Sequence, residues 1–409
     1  MLGERIREFR KQQKMTLEAL AGDELTKGML SLIENNKANP SMESLVYIAG
    51  RLGVEVSELL EDISSKKLRE VLDEAEKLYN KETALGEKSD KYKQLLALIE
   101  PYLENLSQGY ESARLLEIYS RSLYQEKQDG WQEMSKKSAD MYDEMKLTAK
   151  RASIGIFWAM EKFVVHDYAE ALTILLRERN QIETNHHFID PMTRVDLDYN
   201  EAILHFAVGD SDSAAVVMQN AIQFSKEHRI FYRIDDLYRL AAAHGLMIGD
   251  KELQEHYVSK LKQYGDFAED QQAIIFYDLF HAFSLNSEEQ EFTKALEICD
   301  KYLADLKIDK AYRCWFLLEK GKSLYGLGRY EEALDCLKKV EVPAYAHHPY
   351  DLSLFYIKDS YNALCQIELG NISDALESAK EAVENFKAMP HTPYKDFANG
   401  VYRKVSGTM

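Results

Sequence analysis

The chain has 409 residues, too many for one compact core, and 51 Lys and Arg stand against 69 Asp and Glu for a formal net charge of −18. A small domain followed by a long second region is expected, and a general nucleic-acid coat is excluded. Four cysteines without C-x-x-C spacing, Cys299, Cys314, Cys336 and Cys365, read as reduced, mostly buried thiols and exclude a disulfide framework or zinc site.

Helical spacing begins at once. Leu2, Ile6 and Phe9 repeat along a first helix that carries Arg5, Arg7, Arg10, Lys11 and Lys14. This charged start is no secretory signal, and no apolar run approaches the roughly 20 residues that span a bilayer, so a cytoplasmic protein without membrane contact is expected. Thr16 is placed to cap a second helix with Leu17, Leu20 and Ala21 on its apolar face. A third helix opens near Thr26, with Met29, Leu30 and Ile33 inward and Lys27, Gly28, Ser31 and Leu32 outward. Pro40-Ser41 starts a fourth with Leu45, Ile48, Ala49 and Leu52, stopped by Gly53, and a last turn carries Val54, Val56, Leu59 and Leu60. The turn after the third helix calls for positive φ, which Asn36 tolerates best after glycine.

This five-helix pattern, with Ile33-Glu34-Asn35-Asn36-Lys37 after the third helix, resembles the XRE, or Cro/CI-like, helix-turn-helix regulators of bacteria and phages. That family has Gly where Asn36 stands. The resemblance implies a recognition helix in the major groove of double-stranded DNA. It implies base or backbone contacts from Thr26, Lys27, Ser31 and Leu32, and phosphate contacts from Lys37, Arg10 and Lys14. Leu32 has no hydrogen-bonding group, so it can only touch a thymine methyl, and discrimination shifts toward phosphates and DNA shape. Residues 1 to 60 hold eight Lys or Arg and nine Asp or Glu. Their charge of −1 leaves −17 for the remainder, so DNA binding has to come from a local basic face and from two copies acting together as a homodimer.

After a charged bridge from Glu61 to Arg69, an apolar helix, a Gly or Asp turn and a helix with an early Ala recur. The clearest copy is Gly321-Lys-Ser-Leu-Tyr-Gly-Leu-Gly-Arg-Tyr-Glu-Glu-Ala-Leu334; others contain Ala171, Ala214 and Ala375. The turn glycines step from 209 to 249 and from 328 to 370, intervals of 40 and 42, longer than the about 34 residues of a tetratricopeptide repeat. The small residues sit where the two helices of a pair cross closely, and stacked pairs of this kind make a right-handed solenoid with a concave wall. Seven prolines all fall at helix boundaries. The fold class is therefore all-α: a helix-turn-helix domain over 1–62, a linker helix over 63–90, and a tetratricopeptide-like repeat domain with a C-terminal cap over 91–409.

Such an architecture resembles the peptide-pheromone regulators of Gram-positive bacteria, the group of PlcR-like and NprR-like regulators and the Rap phosphatases. The resemblance implies that a short imported oligopeptide binds the concave wall and alters dimer geometry or DNA affinity. Counting back from each turn places Asp196, Tyr199, Asn200 and Ile203 inward in one repeat, Asp236, Arg239 and Ala243 in the next, and Tyr277, Phe280 and His281 in a third. Asn200 is the foremost of these, since a side-chain amide can donate and accept one bond each with an extended backbone. Arg239 suits a peptide carboxylate. Inward Asn, Asp and Arg also pair with one another across repeats, which is the structural alternative for each.

Chemistry-bearing motifs are absent. Gly321-Lys322-Ser323 lacks the phosphate loop's first glycine, its place being taken by Phe316. His186-His187 and His347-His348 lie beside prolines without a third ligand. No enzyme, cofactor or metal is expected. The expectation is a sequence-specific regulator that senses a peptide and dimerises through its repeats. The alternatives are a scaffold whose repeats bind a protein partner, such as a phosphorelay component, and a ligand-independent dimer.

Overall fold

The computed structural model describes residues 2–60, 65–81, 90–305 and 308–407. Every regular element among the described residues is helical. The chain divides into two compact units, Met1–Leu147 and Thr148–Met409.

The first unit opens with α1 (Leu2–Gln12), α2 (Leu17–Ala21), α3 (Lys27–Glu34), α4 (Met42–Leu52) and α5 (Val56–Leu60). Their ends fall where local chemistry puts them. Thr16, Thr26 and Ser41 each accept a backbone N–H with the side-chain oxygen, from Ala19, Met29 and Ser44 respectively, satisfying one of the donors a helix start leaves open. Gly53 ends α4 in the left-handed region. Ile6, Leu20, Leu30, Ile33, Leu45, Ile48, Leu52 and Leu59 form one buried cluster. Met29 departs from the expected inward set: it is 47% exposed, because α3 is only eight residues long and Leu30, Ile33 and Glu34 fill its inner face.

Asn36 has the expected positive φ of 54°. Its side chain does more than tolerate the turn, because Oδ1 accepts the Gly3 N–H at 2.9 Å and so caps the start of α1 from another element. A side chain at Gly3 would overlap the Ile33 carbonyl oxygen, so α1 and the end of α3 meet backbone to backbone.

The rest of the first unit contains α6 (Ser65–Tyr79), α7 (Lys91–Ile99), a 3-10 segment (Glu100–Asn105), α8 (Tyr110–Gln125) and α9 (Trp131–Glu144). Of the expected linker helix over 63–90, residues 63, 64 and 82–89 lie outside the described residues, as does the expected boundary after residue 62. The part that is described, α6, packs against α7 and α8 and shares their core through Leu68, Val71, Leu72 and Ala75.

The second unit is a run of paired helices: α10 (Thr148–Val164) with α11 (Tyr168–Asn185), α12 (Pro191–Val208) with α13 (Ser211–His228), α14 (Ile234–Ile248) with α15 (Lys251–Ala268), α16 (Gln271–Ser284) with α17 (Phe292–Ala304), α18 (Lys310–Gly326) with α19 (Tyr330–Leu337), and α20 (Pro349–Glu368) with α21 (Ile372–Phe386). A final helix, α22 (Pro393–Ser406), covers α20 and α21. Ala171, Ala214, Ala295, Ala333 and Ala375 are fully buried at the starts of second helices, as close crossing requires. The turn glycines Gly209 and Gly328 have φ of 85° and 73°.

Pairs do not contact only their sequence neighbours. The segment between α19 and α20 reaches back to the beginning of the unit: Tyr168 Oη donates to the His347 carbonyl at 2.7 Å, and His348 Nε2 lies 3.2 Å from the Ile203 carbonyl. Phe163 packs on both histidine rings. This strap ties the later helices to the first pairs of the unit and contributes Tyr345 and His348 to the lining of a half-open cavity.

Candidate functional site

Two surfaces have the makings of a site, one in each unit. On α3, Thr26, Lys27, Leu32 and, beyond its end, Lys37 are exposed, Ser31 is partly so, and Leu32 is 45% exposed. Lys27 is paired with Glu18 of α2; both are well exposed, so a competing phosphate can take the ammonium at small cost. Thr26 accepts the Met29 N–H with its hydroxyl oxygen as the helix cap and keeps its O–H to donate. Lys14, at φ 54°, stands exposed just past α1.

Arg10 requires a correction. It was expected on the DNA face, but its Nε and Nη2 donate to both carboxylate oxygens of Glu34 at 2.6 and 2.7 Å, and Nη1 donates to the Met15 carbonyl. Glu34 is 2% exposed. Arg10 is the main counter-charge of this buried carboxylate, with Arg7 Nε further off at 3.7 Å, and the hydrogen bond to Glu34 in turn holds the Arg10 guanidinium pKa above its ordinary value. Three of its five N–H donors are spent on these inward contacts, so its visible role is to tie α1 to α3.

The second unit encloses a cavity of about 340 Å³. Of the residues placed on the concave wall from sequence, Tyr199, Ile203, Asp236, Arg239, Ala243 and Phe280 line it. Asp196, Asn200, Tyr277 and His281 do not. Asn200 is buried and donates back to the Asp196 carbonyl at 2.7 Å. Asp196 is held by Arg233, at close range, and by Tyr232 Oη at 3.1 Å. On α16 the lining set is Phe276, Leu279, Phe280 and Phe283, one position off from Tyr277 and His281, whose rings lie tilted to each other at 6.1 Å. The π turn Leu285–Glu289 and positive-φ Gln290 at the end of α16 replace the Gly turn that sets the count elsewhere, and so the count slips.

Charges around the cavity are mostly spent. Asp236 lies between Arg233, at 3.0 Å, and Arg239; Arg239 also lies 4.3 Å above the Phe276 ring. Glu319 accepts from Lys322 Nζ at 2.8 Å and from Asn286 Nδ2 at 2.9 Å, all three buried. That closes the phosphate-loop question, since Lys322 is consumed within its own helix. Burial pushes His348 down to about 4; the neutral ring donates from Nε2 to Ile203 and accepts the Tyr350 N–H at Nδ1, capping α20. Tyr345 accepts from Trp315 Nε1 at 2.8 Å, and burial raises its phenol to about 12.

Asp351 is different. It lines the cavity in the first turn of α20, and desolvation raises its carboxyl to about 6 although Arg239 pulls the other way. Among the described residues it has no hydrogen bond or ion pair. Trp315, Tyr345, His348, Tyr350 and Asp351 were not anticipated as wall residues. The available signal was the density of aromatic, His and acidic residues between Pro343 and Asp351, although no repeat register assigns such a segment to the wall.

No group of three or more His, Cys, Asp or Glu among the described residues is arranged to hold a metal, and none of the described helices is long and apolar enough to cross a membrane.

Residues 3–64 match the family model described as a helix-turn-helix domain. The immunity repressor protein of Bacillus phage phi105 is 38% identical over 60 residues, which are 14% of this chain and 42% of the repressor; the chain thus spans less than half the length of that relative. Among solved structures, the chain is similar to Bacillus thuringiensis PlcR in complex with a peptide and DNA, at 19% identity and a TM-score of 0.34 over 66% of this chain and 95% of PlcR. It is likewise similar to the competence regulator ComR of Streptococcus vestibularis in complex with its cognate signalling peptide, at 21% identity and a TM-score of 0.36 over 66% and 94%. No residue role passes from these proteins to this chain at such scores.

Proposed function

We propose that the chain is a sequence-specific DNA-binding transcriptional regulator whose paired-helix unit senses a short peptide. The observation that carries this reading is the pairing, in one chain, of a helix-turn-helix domain with a unit that encloses an aromatic cavity. Thr26, Lys27, Ser31 and Leu32 approach the major groove; Lys37 and Lys14 hold phosphates, with Leu32 supplying at most a thymine-methyl contact. The module's balanced charge makes one copy a weak binder, so the active form is a homodimer on two half-sites. The cavity takes the side chains of the peptide against Tyr199, Phe276, Phe280, Phe283, Trp315 and Tyr350. The regulator works in the cytoplasm, where DNA and imported peptide meet.

Selection of full-length protein against a randomised double-stranded DNA library, followed by sequencing of the bound fraction, tests this reading. An enriched, two-fold-symmetric motif is expected. Recovery of no motif at 50 mM salt, where phosphate contacts are strongest, refutes it.

A further inference from the structure

Resting on the peptide reading above, we propose that the cavity recognises a positively charged ammonium group of its ligand, with Asp351 as the receiving carboxylate. Every other charge in the wall has a partner within the fold: Asp236 has Arg233 and Arg239, and Glu319 has Lys322 and Asn286. Asp351 has none among the described residues, yet it lines a half-open, largely aromatic cavity. A carboxylate placed there without a donor is costly, and the cost is recovered when a ligand brings the missing cation. The nearest fixed cation, Arg239, is already occupied by Asp236 and Asp235 and lies over Phe276. A ligand carboxylate would therefore have to displace those acids and enter a wall that holds three.

The surrounding groups suit the same ligand. Trp315 and Tyr350 line the same cavity, and aromatic rings attract an ammonium by their quadrupoles and cover the apolar stem that carries it, whereas the Phe283 ring already lies 4.3 Å under Lys322 Nζ. His348, which lies three residues before Asp351, has both ring nitrogens engaged as a neutral imidazole, so it neither competes as a cation nor repels one. The ammonium has two possible sources in a peptide, the α-amino group and a lysine.

The test uses three pools of synthetic heptapeptides built from Leu, Ile, Val, Phe, Pro and Gly, all with free C-termini. The first pool keeps the α-amine, the second is N-acetylated, and the third is N-acetylated with one lysine. Each is incubated with the full-length protein at pH 7.5, and retained peptides are read by size exclusion and mass spectrometry. At least tenfold greater retention of the first or third pool over the second is expected, the better of the two identifying the source of the ammonium. Asp351→Asn should abolish that preference while still retaining acetylated peptides, and Asp351→Glu should keep it. Asp351→Asn should also melt no lower than the parent protein, since it removes an unpaired charge. Equal retention of all three pools, or a preference that survives Asp351→Asn, overturns the ammonium proposal and leaves the peptide reading standing. Retention of no pool overturns the peptide reading itself.

Discussion

The helix-turn-helix module buries a carboxylate and the cavity unit partly buries another, and they treat them in opposite ways. In the module, Glu34 is met by a two-pronged guanidinium, Arg10, and the pair welds α1 to α3. In the cavity, Asp351 is left without a donor. A buried acid whose partner lies in the same fold has a structural role; one whose partner is missing marks where something else arrives. Removing the partner should therefore damage the first site, whereas neutralising the lone acid should relieve the second.

The largest expected effect comes from breaking the welded pair. Arg10→Met removes the two-pronged partner of Glu34 and leaves only Arg7, whose Nε lies 3.7 Å from the carboxylate, so it should destabilise the module by about 3 kcal/mol. Amide hydrogen exchange read by mass spectrometry should show lost protection across α1 to α4, with α12 to α21 unchanged, and DNA binding should disappear with it. Protection in α3 that survives the substitution would mean that the pair contributes little to holding the module together.

Crowding a helix pair comes next. Ala333 is fully buried at the start of α19, and Gly321 on the facing helix meets Leu337 so closely that a methyl there would overlap it. Ala333→Leu should cost about 1–3 kcal/mol through overpacking, visible as a lower melting temperature for the second unit. No drop would mean that the pair opens without penalty and that the small residue is not what sets the crossing.

These two sites also show what the sequence made legible. The alanines and turn glycines were readable because close crossing and positive φ leave few residue choices at a given position. All five N-terminal helices were readable from their caps and periodicity. Met29 was misplaced because an eight-residue helix has room for only two apolar inner positions beside Glu34. The cavity was half readable. Tyr199, Asp236 and Arg239 followed from counting within a repeat, but Tyr277 and His281 failed where a π turn replaced the glycine. Asn200 does not line the cavity, its side-chain N–H donating back to its own helix instead. The strap from α19 to α20 was beyond any repeat count: stacked repeats are expected to touch only their neighbours, whereas Tyr168 and His347 meet across 179 positions.

The lone acid gives a pH signature of intermediate size. The folded carboxyl of Asp351 is raised to about 6 from an ordinary 3.8. Between those values the folded chain keeps a proton that the unfolded chain releases. The stability associated with Asp351 is thus greatest below about pH 4 and falls as pH rises toward 6, the reverse of a salt-bridged aspartate. Asp359 is raised to about 6 by burial as well, so the informative quantity is a difference between proteins. Asp351→Asn should gain on the parent by about 2 kcal/mol between pH 4 and 7, read from urea midpoints at several pH values. A difference that stays constant with pH would mean that the carboxyl titrates normally and has found a donor.

The smallest effect separates two uses of one residue. Asn36 adopts positive φ, a conformation glycine enters without the strain of a Cβ, so glycine at this position should relieve strain worth up to about 1 kcal/mol. Its side chain, however, also accepts the Gly3 N–H at 2.9 Å, and losing a bond of that kind costs about 1 kcal/mol. Asn36→Gly should therefore leave the module's stability nearly unchanged, the two terms offsetting each other. Asn36→Ala keeps the strain and loses the bond, so it should cost about 1 kcal/mol. Urea unfolding of the three proteins distinguishes the terms. If glycine stabilises the module outright, the bond to Gly3 contributes little and Asn36 is there only for its backbone. If glycine and alanine destabilise it equally, the cap dominates and the turn itself carries no appreciable strain.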